Sequence, residues 1–167
     1  MTRRPRAETA LDAVLEQARG LDRLRTLIVA RHGEILAEQA FRGPAPDQPV
    51  NVKSVAKSVI SALVGIAIDR EVLRGVDQPI APILRDRLPK DADPRLGKVT
   101  IEDLLSMRAG LERTSGQNYG RWVSSRDWVR FALARPFVDE PGGRMLYSTG
   151  SSHLLSAILT RASGRAS

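Results

Sequence analysis

Cysteine is absent from the 167-residue sequence. This absence excludes disulfide bonds, thiol nucleophiles and cysteine-ligated zinc centres, and it removes redox chemistry as a guide to the compartment. Histidine is nearly absent too, since His32 and His153 are the only two and they lack the spacing of metal ligands. We therefore expect no metal centre, and we expect no cofactor.

Aromatic residues make up only 4% of the chain, which leaves little stacking surface for single-stranded nucleic acid. The formal charge of +7 does not reverse this expectation, because the arginines are scattered and mixed with acids instead of forming a basic patch. No hydrophobic run approaches the length that spans a bilayer, and the N-terminus lacks the apolar core of a signal peptide. These features predict no nucleic-acid partner, no membrane partner and a cytoplasmic location, or a periplasmic one if the native N-terminus differs.

The segment SVAKSVISALVGIAID, residues 54–69, contains the most informative pattern in the sequence. Residues three apart on a helix share a face, so the Ser54 hydroxyl and the Lys57 amine would lie side by side. Apolar residues surround the helix axis, which predicts a helix that is buried on most sides. Chance alone produces roughly 0.3 such serine-lysine pairs at this composition, so the spacing needs support from its context.

The region before this segment predicts a helix and a β-hairpin. Apolar residues recur at helical spacing from about residue 8 to residue 19, and Gly20 ends the pattern. Two β-prone runs follow, LRTLIVAR and EILAEQAF, and the pair His32-Gly33 between them is typical of a hairpin turn. We therefore interpret His32 as a turn residue.

The region after the segment predicts short helices joined by loops. Thr100 and Asp103 have the spacing of a helix cap, and Ser125 and Asp127 open a second helix. Residues 153–164 form an apolar pattern typical of a third helix, which Gly164 ends. The polar stretch 115–120 predicts a loop.

The hairpin, the SVAK start of a helix, and the PGG turn before Tyr147-Ser148-Thr149 together resemble the serine β-lactamase and penicillin-binding protein superfamily. The segments VTIEDLLSMRAGL and DWVRFALARPFVDEPGGRMLYSTG are similar to the branch of class C β-lactamases, with esterases and nylon-oligomer hydrolases as the nearest types. The resemblance spans most of residues 24–164.

This resemblance implies an α+β, β-lactamase-like fold. Its antiparallel sheet is flanked by helices in a three-layer α/β/α arrangement, and a mainly helical subdomain is attached. For this chain it predicts that residues 1–72 form the N-terminal part of the α/β domain and that residues 73–167 form the helical subdomain with the tyrosine motif.

The resemblance also implies a serine hydrolase that cleaves amide or ester bonds of small molecules. Ser54 would attack the acyl carbon and form an acyl-enzyme, which water then cleaves. Tyr147 would act as general base or proton relay, and Lys57 would assist if its amine is neutral part of the time or shares its charge. Thr149 and Tyr119 are the predicted substrate contacts, Tyr119 because it lies in the polar loop.

Two departures from the family pattern leave alternatives open. Thr149 stands where asparagine is usual, so an ester, an amide oligomer, a D-alanyl peptide and a β-lactam all remain candidate substrates. The third motif, a Lys-Thr-Gly or His-x-Gly strand, has no counterpart up to Ser167. The sequence therefore predicts a truncated chain that lacks the C-terminal strands. The alternative function is a catalytically inactive fragment or a non-catalytic member that binds a ligand or partner; the oligomeric state stays open.

Overall fold

The structure is a computed structural model and describes residues 6–166. The chain divides into two compact units, Met1–Asn51 and Val52–Ser167. The first unit contains helix α1 (Arg6–Arg19) and strands β1 (Thr26–Arg31) and β2 (Glu34–Ala40). The sequence-based division into an α/β part, residues 1–72, and a helical subdomain, residues 73–167, refers to the domains of the family fold and not to these compact units. That division stays a prediction.

The two strands form the antiparallel hairpin that the sequence predicts. Arg31 pairs with Glu34, so the loop consists of His32 and Gly33 alone. Both loop residues have positive φ, 52° for His32 and 84° for Gly33, as a type I′ turn requires. The interpretation of His32 as a turn residue is therefore confirmed.

The second unit is helical, and its last helix lies at its centre. It contains α2 (Ala56–Asp69), α3 (Ile101–Leu105), α4 (Tyr119–Val123), α5 (Trp128–Leu133) and α6 (Thr149–Ser163). Helix α6 packs against α2, α3 and α5. It buries four large apolar side chains, Leu154, Leu155, Ile158 and Leu159, in a core shared with the preceding helices. None of the helices in residues 6–166 combines the length and apolar character that crossing a bilayer requires.

Local capping explains where these helices begin and end. The Thr100 hydroxyl accepts a hydrogen bond from the Asp103 amide, and the Asp103 carboxylate accepts one from the Thr100 amide, which completes the predicted capping box of α3. Asp127 caps α5 in the same way by accepting from the Arg130 amide. Gly164 ends α6 in the left-handed conformation, although that helix begins at Thr149, one turn before the predicted start.

Two predictions about helices were wrong. Helix α2 is not buried on most sides, because Val64 and Ala67 are buried whereas Val59 and Ile66 are 56% and 48% exposed. Among the described residues, helix α6 covers only one side of α2. The stretch 115–120 is not a loop throughout, since α4 begins at Tyr119 and is anchored by the buried indole of Trp122.

Candidate functional site

Ser54 lies in a short 3-10 turn, Lys53–Val55, that leads directly into α2. The residue before it, Lys53, has a positive φ of 52°. Residues other than glycine adopt this left-handed backbone conformation at an energetic cost, and such residues are concentrated at functional sites. The backbone therefore turns sharply just before Ser54, and the Ser54 hydroxyl is exposed at the start of a 14-residue helix.

The Ser54 hydroxyl is the meeting point of two further side chains. Lys57 Nζ donates a hydrogen bond to Ser54 Oγ over 3.3 Å, as the three-residue spacing predicts. Tyr147 Oη donates to the same Oγ over 2.9 Å, although Tyr147 lies 93 residues further along the chain. Lys57 Nζ is also 5.3 Å from the centre of the Tyr147 ring. The structure thus brings the three predicted catalytic residues together.

The surroundings of Tyr147 favour its ionised form. The hydrogen bond with Ser54 and then the hydrogen bond and positive charge of Lys57 lower the pKa of the Tyr147 phenol, while its slight burial acts in the opposite direction. Tyr147 is 41% exposed, so solvent reaches this residue. A phenol whose pKa lies below its ordinary value is a better proton acceptor at neutral pH than an unperturbed tyrosine, because more of it is phenolate.

We expect this lowered pKa to be measurable by titration. In a Tyr119→Phe background Tyr147 is the only tyrosine, and its phenolate absorbance should appear at a lower pH than that of an ordinary tyrosine. Ser54→Ala and Lys57→Met should each move the midpoint of the titration upward, because each removes a group that favours the phenolate. An unchanged midpoint in both variants would contradict this description of the site.

The two predicted substrate contacts lie in different surroundings. The Thr149 hydroxyl is 3.0 Å from that of Ser115, and the Thr149 amide donates to Ser115 Oγ over 2.9 Å. Tyr119 is 49% exposed and its ring packs against Trp122 at 5.9 Å. In residues 6–166, no hydrogen bond or ring contact joins Tyr119 to Ser54, Lys57 or Tyr147. The substrate contacts of Thr149 and Tyr119 stay predictions.

Sequence reasoning missed a buried group of hydroxyls beside Tyr147. Ser148 Oγ accepts from the Thr114 amide over 3.1 Å and lies 3.3 Å from Thr114 Oγ1. Thr114 Oγ1 also accepts from the Gly150 amide over 2.7 Å. These partners lie 34 and 36 residues apart, so no helical or strand period in the sequence could have indicated them.

Backbone hydrogen bonds also hold the segment before Tyr147. The Leu146 amide donates to the carbonyl of Met107 over 2.8 Å, and the Gly142 amide donates to the carbonyl of Arg108 over 2.8 Å. Met107 has a positive φ of 60°, the second such non-glycine residue beside the site. Tyr147 is therefore presented by a segment that is held on both sides.

His153 belongs to an aromatic cluster away from these contacts. Its ring lies edge-on to Trp122 at 5.7 Å and to Trp128 at 5.4 Å. Burial lowers the pKa of the His153 imidazole, and Asp127 opposes this only in part. Over residues 6–166, the structure contains no cluster of three or more histidine or acidic side chains that could hold a metal ion.

The chain is similar to known hydrolases over almost its full length. The family model described as Beta-lactamase matches residues 14–167. Esterase EstB of Burkholderia gladioli is 32% identical over 93% of this chain, and the match covers 45% of EstB. This chain therefore spans less than half the length of that relative.

Solved structures show the same fold. The hydrolase EstCE1, with promiscuous acyltransferase activity, matches with a TM-score of 0.71 at 23% identity over 96% of this chain and 49% of its own. An octameric penicillin-binding protein homologue from Pyrococcus abyssi also has a TM-score of 0.71, at 18% identity over 95% of this chain and 40% of its own. The predicted α+β, β-lactamase-like fold class and the predicted superfamily are both confirmed.

Proposed function

Because this chain belongs to the β-lactamase family, we propose that it is a serine hydrolase that forms an acyl-enzyme on Ser54 from an amide or ester substrate. The observation that carries this proposal is the convergence of Lys57 Nζ and Tyr147 Oη on Ser54 Oγ, at 3.3 Å and 2.9 Å. A serine hydroxyl is a weak nucleophile until a neighbouring base takes its proton.

Tyr147 supplies that base when its phenol is ionised. In the neutral state the phenol donates to Ser54 Oγ, and on ionisation the same contact reverses so that the serine donates to the phenolate. Ser54 Oγ then forms a bond to the acyl carbon while its proton passes to Tyr147 Oη. The phenol returns this proton to the departing amine or alcohol as the bond to the leaving group breaks, and water cleaves the resulting ester of Ser54.

Lys57 and helix α2 supply positive potential to this reaction. The Lys57 ammonium lies beside both the nucleophile and the phenol, where it favours the phenolate and the developing negative charge. Helix α2 begins two residues after Ser54, so the positive end of its dipole faces the same region. These two effects stabilise an oxyanion more than they stabilise a neutral carbonyl, which is the condition for catalysis.

The proposed substrate class is a small molecule with an amide or ester bond. The similarity to esterase EstB supports the ester alternative within this class. Ser54 and Tyr147 are both exposed, so within this chain the acyl group can approach from solvent.

The proposal is tested by reaction with a fluorophosphonate probe, which modifies activated serines. The folded chain should acquire one adduct, and peptide mass spectrometry should locate it on the peptide that contains Ser54. Protein unfolded in denaturant serves as the control and should not react, since the activation depends on the contact with Tyr147.

Modification of other serines at a comparable rate would contradict the proposal, because it would show that Ser54 is not specially activated. An unmodified folded protein would favour the alternative, a member of the family that binds a ligand or partner without turnover.

A further inference from the structure

We propose that Thr114 and Ser115 are positioning residues that hold Tyr147 within reach of Ser54, an inference that rests on the proposed function. Together with Ser148 and Thr149 they form a group of four hydroxyl side chains, which we call the hydroxyl bracket. The bracket joins the loop after Gly110 to the residues that directly follow Tyr147.

Tyr147 needs such support because its own side chain is weakly confined. The residue is 41% exposed, and its hydroxyl contacts Ser54, which lies 93 residues earlier in the chain. Ser54 and Lys57, by contrast, are only three residues apart, and the 3-10 turn together with the first turn of α2 fixes their spacing. The position of the phenol therefore depends on how the backbone on either side of it is held.

Thr114 holds this backbone through three contacts. Its amide donates to Ser148 Oγ over 3.1 Å, its hydroxyl lies 3.3 Å from that same oxygen, and its Oγ1 accepts from the Gly150 amide over 2.7 Å. Thr114 is 1% exposed and Ser148 is 7% exposed. Water cannot readily replace these bonds at such burial, so loss of the Thr114 hydroxyl leaves buried polar groups without a partner.

Ser115 fixes the next residue along the chain. Its hydroxyl oxygen accepts from the Thr149 amide over 2.9 Å and pairs with Thr149 Oγ1 at 3.0 Å. Thr149 is the first residue of α6, so this contact fixes the start of that helix two residues after Tyr147. Thr114 and Ser115 thus bind three consecutive positions, Ser148, Thr149 and Gly150.

The start of α6 is closely packed next to the hydroxyl bracket. A Cβ added at Gly150 would lie 2.9 Å from Thr114 Oγ1 and 3.2 Å from the Cβ of Ala132. The start of α6 therefore packs closely against both Thr114 and helix α5. We therefore expect a change in the hydrogen bonding of Thr114 to shift the start of α6 and the adjoining segment that carries Tyr147, because closely packed groups transmit such changes.

The test compares Thr114→Val, which keeps the shape and removes the hydroxyl, with Thr114→Ser, which keeps the hydroxyl. Both are made in the full chain in a Tyr119→Phe background, and each is compared with that background. Two quantities are measured in the folded protein, the midpoint of the Tyr147 phenolate titration and the rate of fluorophosphonate modification of Ser54.

We expect Thr114→Val to move the titration midpoint up toward the ordinary tyrosine value of about 10 and to slow modification at least about tenfold, while Thr114→Ser keeps both near the parent values. A purely structural role would lower the unfolding temperature without moving the midpoint. A folded Thr114→Val protein with the parent midpoint and rate would overturn the proposal.

Ser115→Ala decides the matter if Thr114→Val does not fold, because Ser115 is only half-buried. Like Thr114→Val, it should raise the midpoint of the Tyr147 titration and slow the modification of Ser54. Parent values for both would overturn the proposal. If Ser54 is unreactive in every protein, the proposed function fails. The titration midpoint then still decides whether the hydroxyl bracket positions Tyr147.

Discussion

Replacing Tyr147 with phenylalanine is expected to slow the fluorophosphonate modification of Ser54 by about 10²–10⁴-fold, the range over which a general base contributes. The substitution keeps the ring and removes only the oxygen that lies 2.9 Å from Ser54 Oγ. Lys57 remains at 3.3 Å, but a protonated amine cannot accept the serine proton. The measurement is the second-order rate of adduct formation, followed by intact-protein mass.

A matched hydroxyl deletion on α2 controls for the substitution. Ser58→Ala removes an exposed hydroxyl from the residue after Lys57 and should leave the rate unchanged. Both variants should unfold at the parent temperature, because the Tyr147 hydroxyl is not part of the core. A rate within about twofold of the parent for Tyr147→Phe would show that another group accepts the proton.

Replacing Gly110 with alanine is expected to lower the free energy of unfolding by about 3 kcal/mol. Gly110 has a φ of 76°, a conformation that L side chains adopt only at a cost. An added Cβ would also lie 2.6 Å from the carbonyl oxygen of Asp139, which cannot move away without disturbing the chain. The Gly110 carbonyl accepts from the amides of Val138 and Asp139, so the strain falls on a paired segment. Denaturant unfolding measures the change.

The control for this change is the same substitution where neither problem exists. Gly65 lies inside α2, and a Cβ there would meet nothing within 4 Å. Gly65→Ala should therefore stabilise the protein by about 0.5–1 kcal/mol, the difference in helix propensity between the two residues. Equal effects of the two substitutions would show that the fit at Gly110 does not limit stability.

Features that depend on neighbours in sequence were predictable. The type I′ turn at His32-Gly33 follows from two residues that tolerate positive φ between β-prone runs. The caps at Thr100 and Asp127 follow from side chains that reach an amide three residues away. The closeness of Ser54 and Lys57 belongs to the same class, since one helical turn fixes it.

Features that depend on distant segments were not predictable from local patterns. Tyr147 could be placed beside Ser54 only through the family resemblance, because no period in the sequence spans 93 residues. The bracket around Thr114 left no signal, since hydroxyl residues are common and their pairing is set by the packing of α6. The burial of α2 was overestimated because composition reports how apolar a helix is and not which neighbours cover it.

The two hydrogen bonds on Ser54 differ in the length of chain that each one closes. The bond from Lys57 spans three residues and forms with the helix, whereas the bond from Tyr147 closes a loop of 93 residues. Contacts between distant segments form late in folding, because the entropy of loop closure must be overcome before they contribute. The pKa of the Tyr147 phenol is therefore lowered only once the helical unit has assembled. During refolding at a fixed alkaline pH, the rise in phenolate absorbance of Tyr147 should therefore report the rate at which the helical unit assembles.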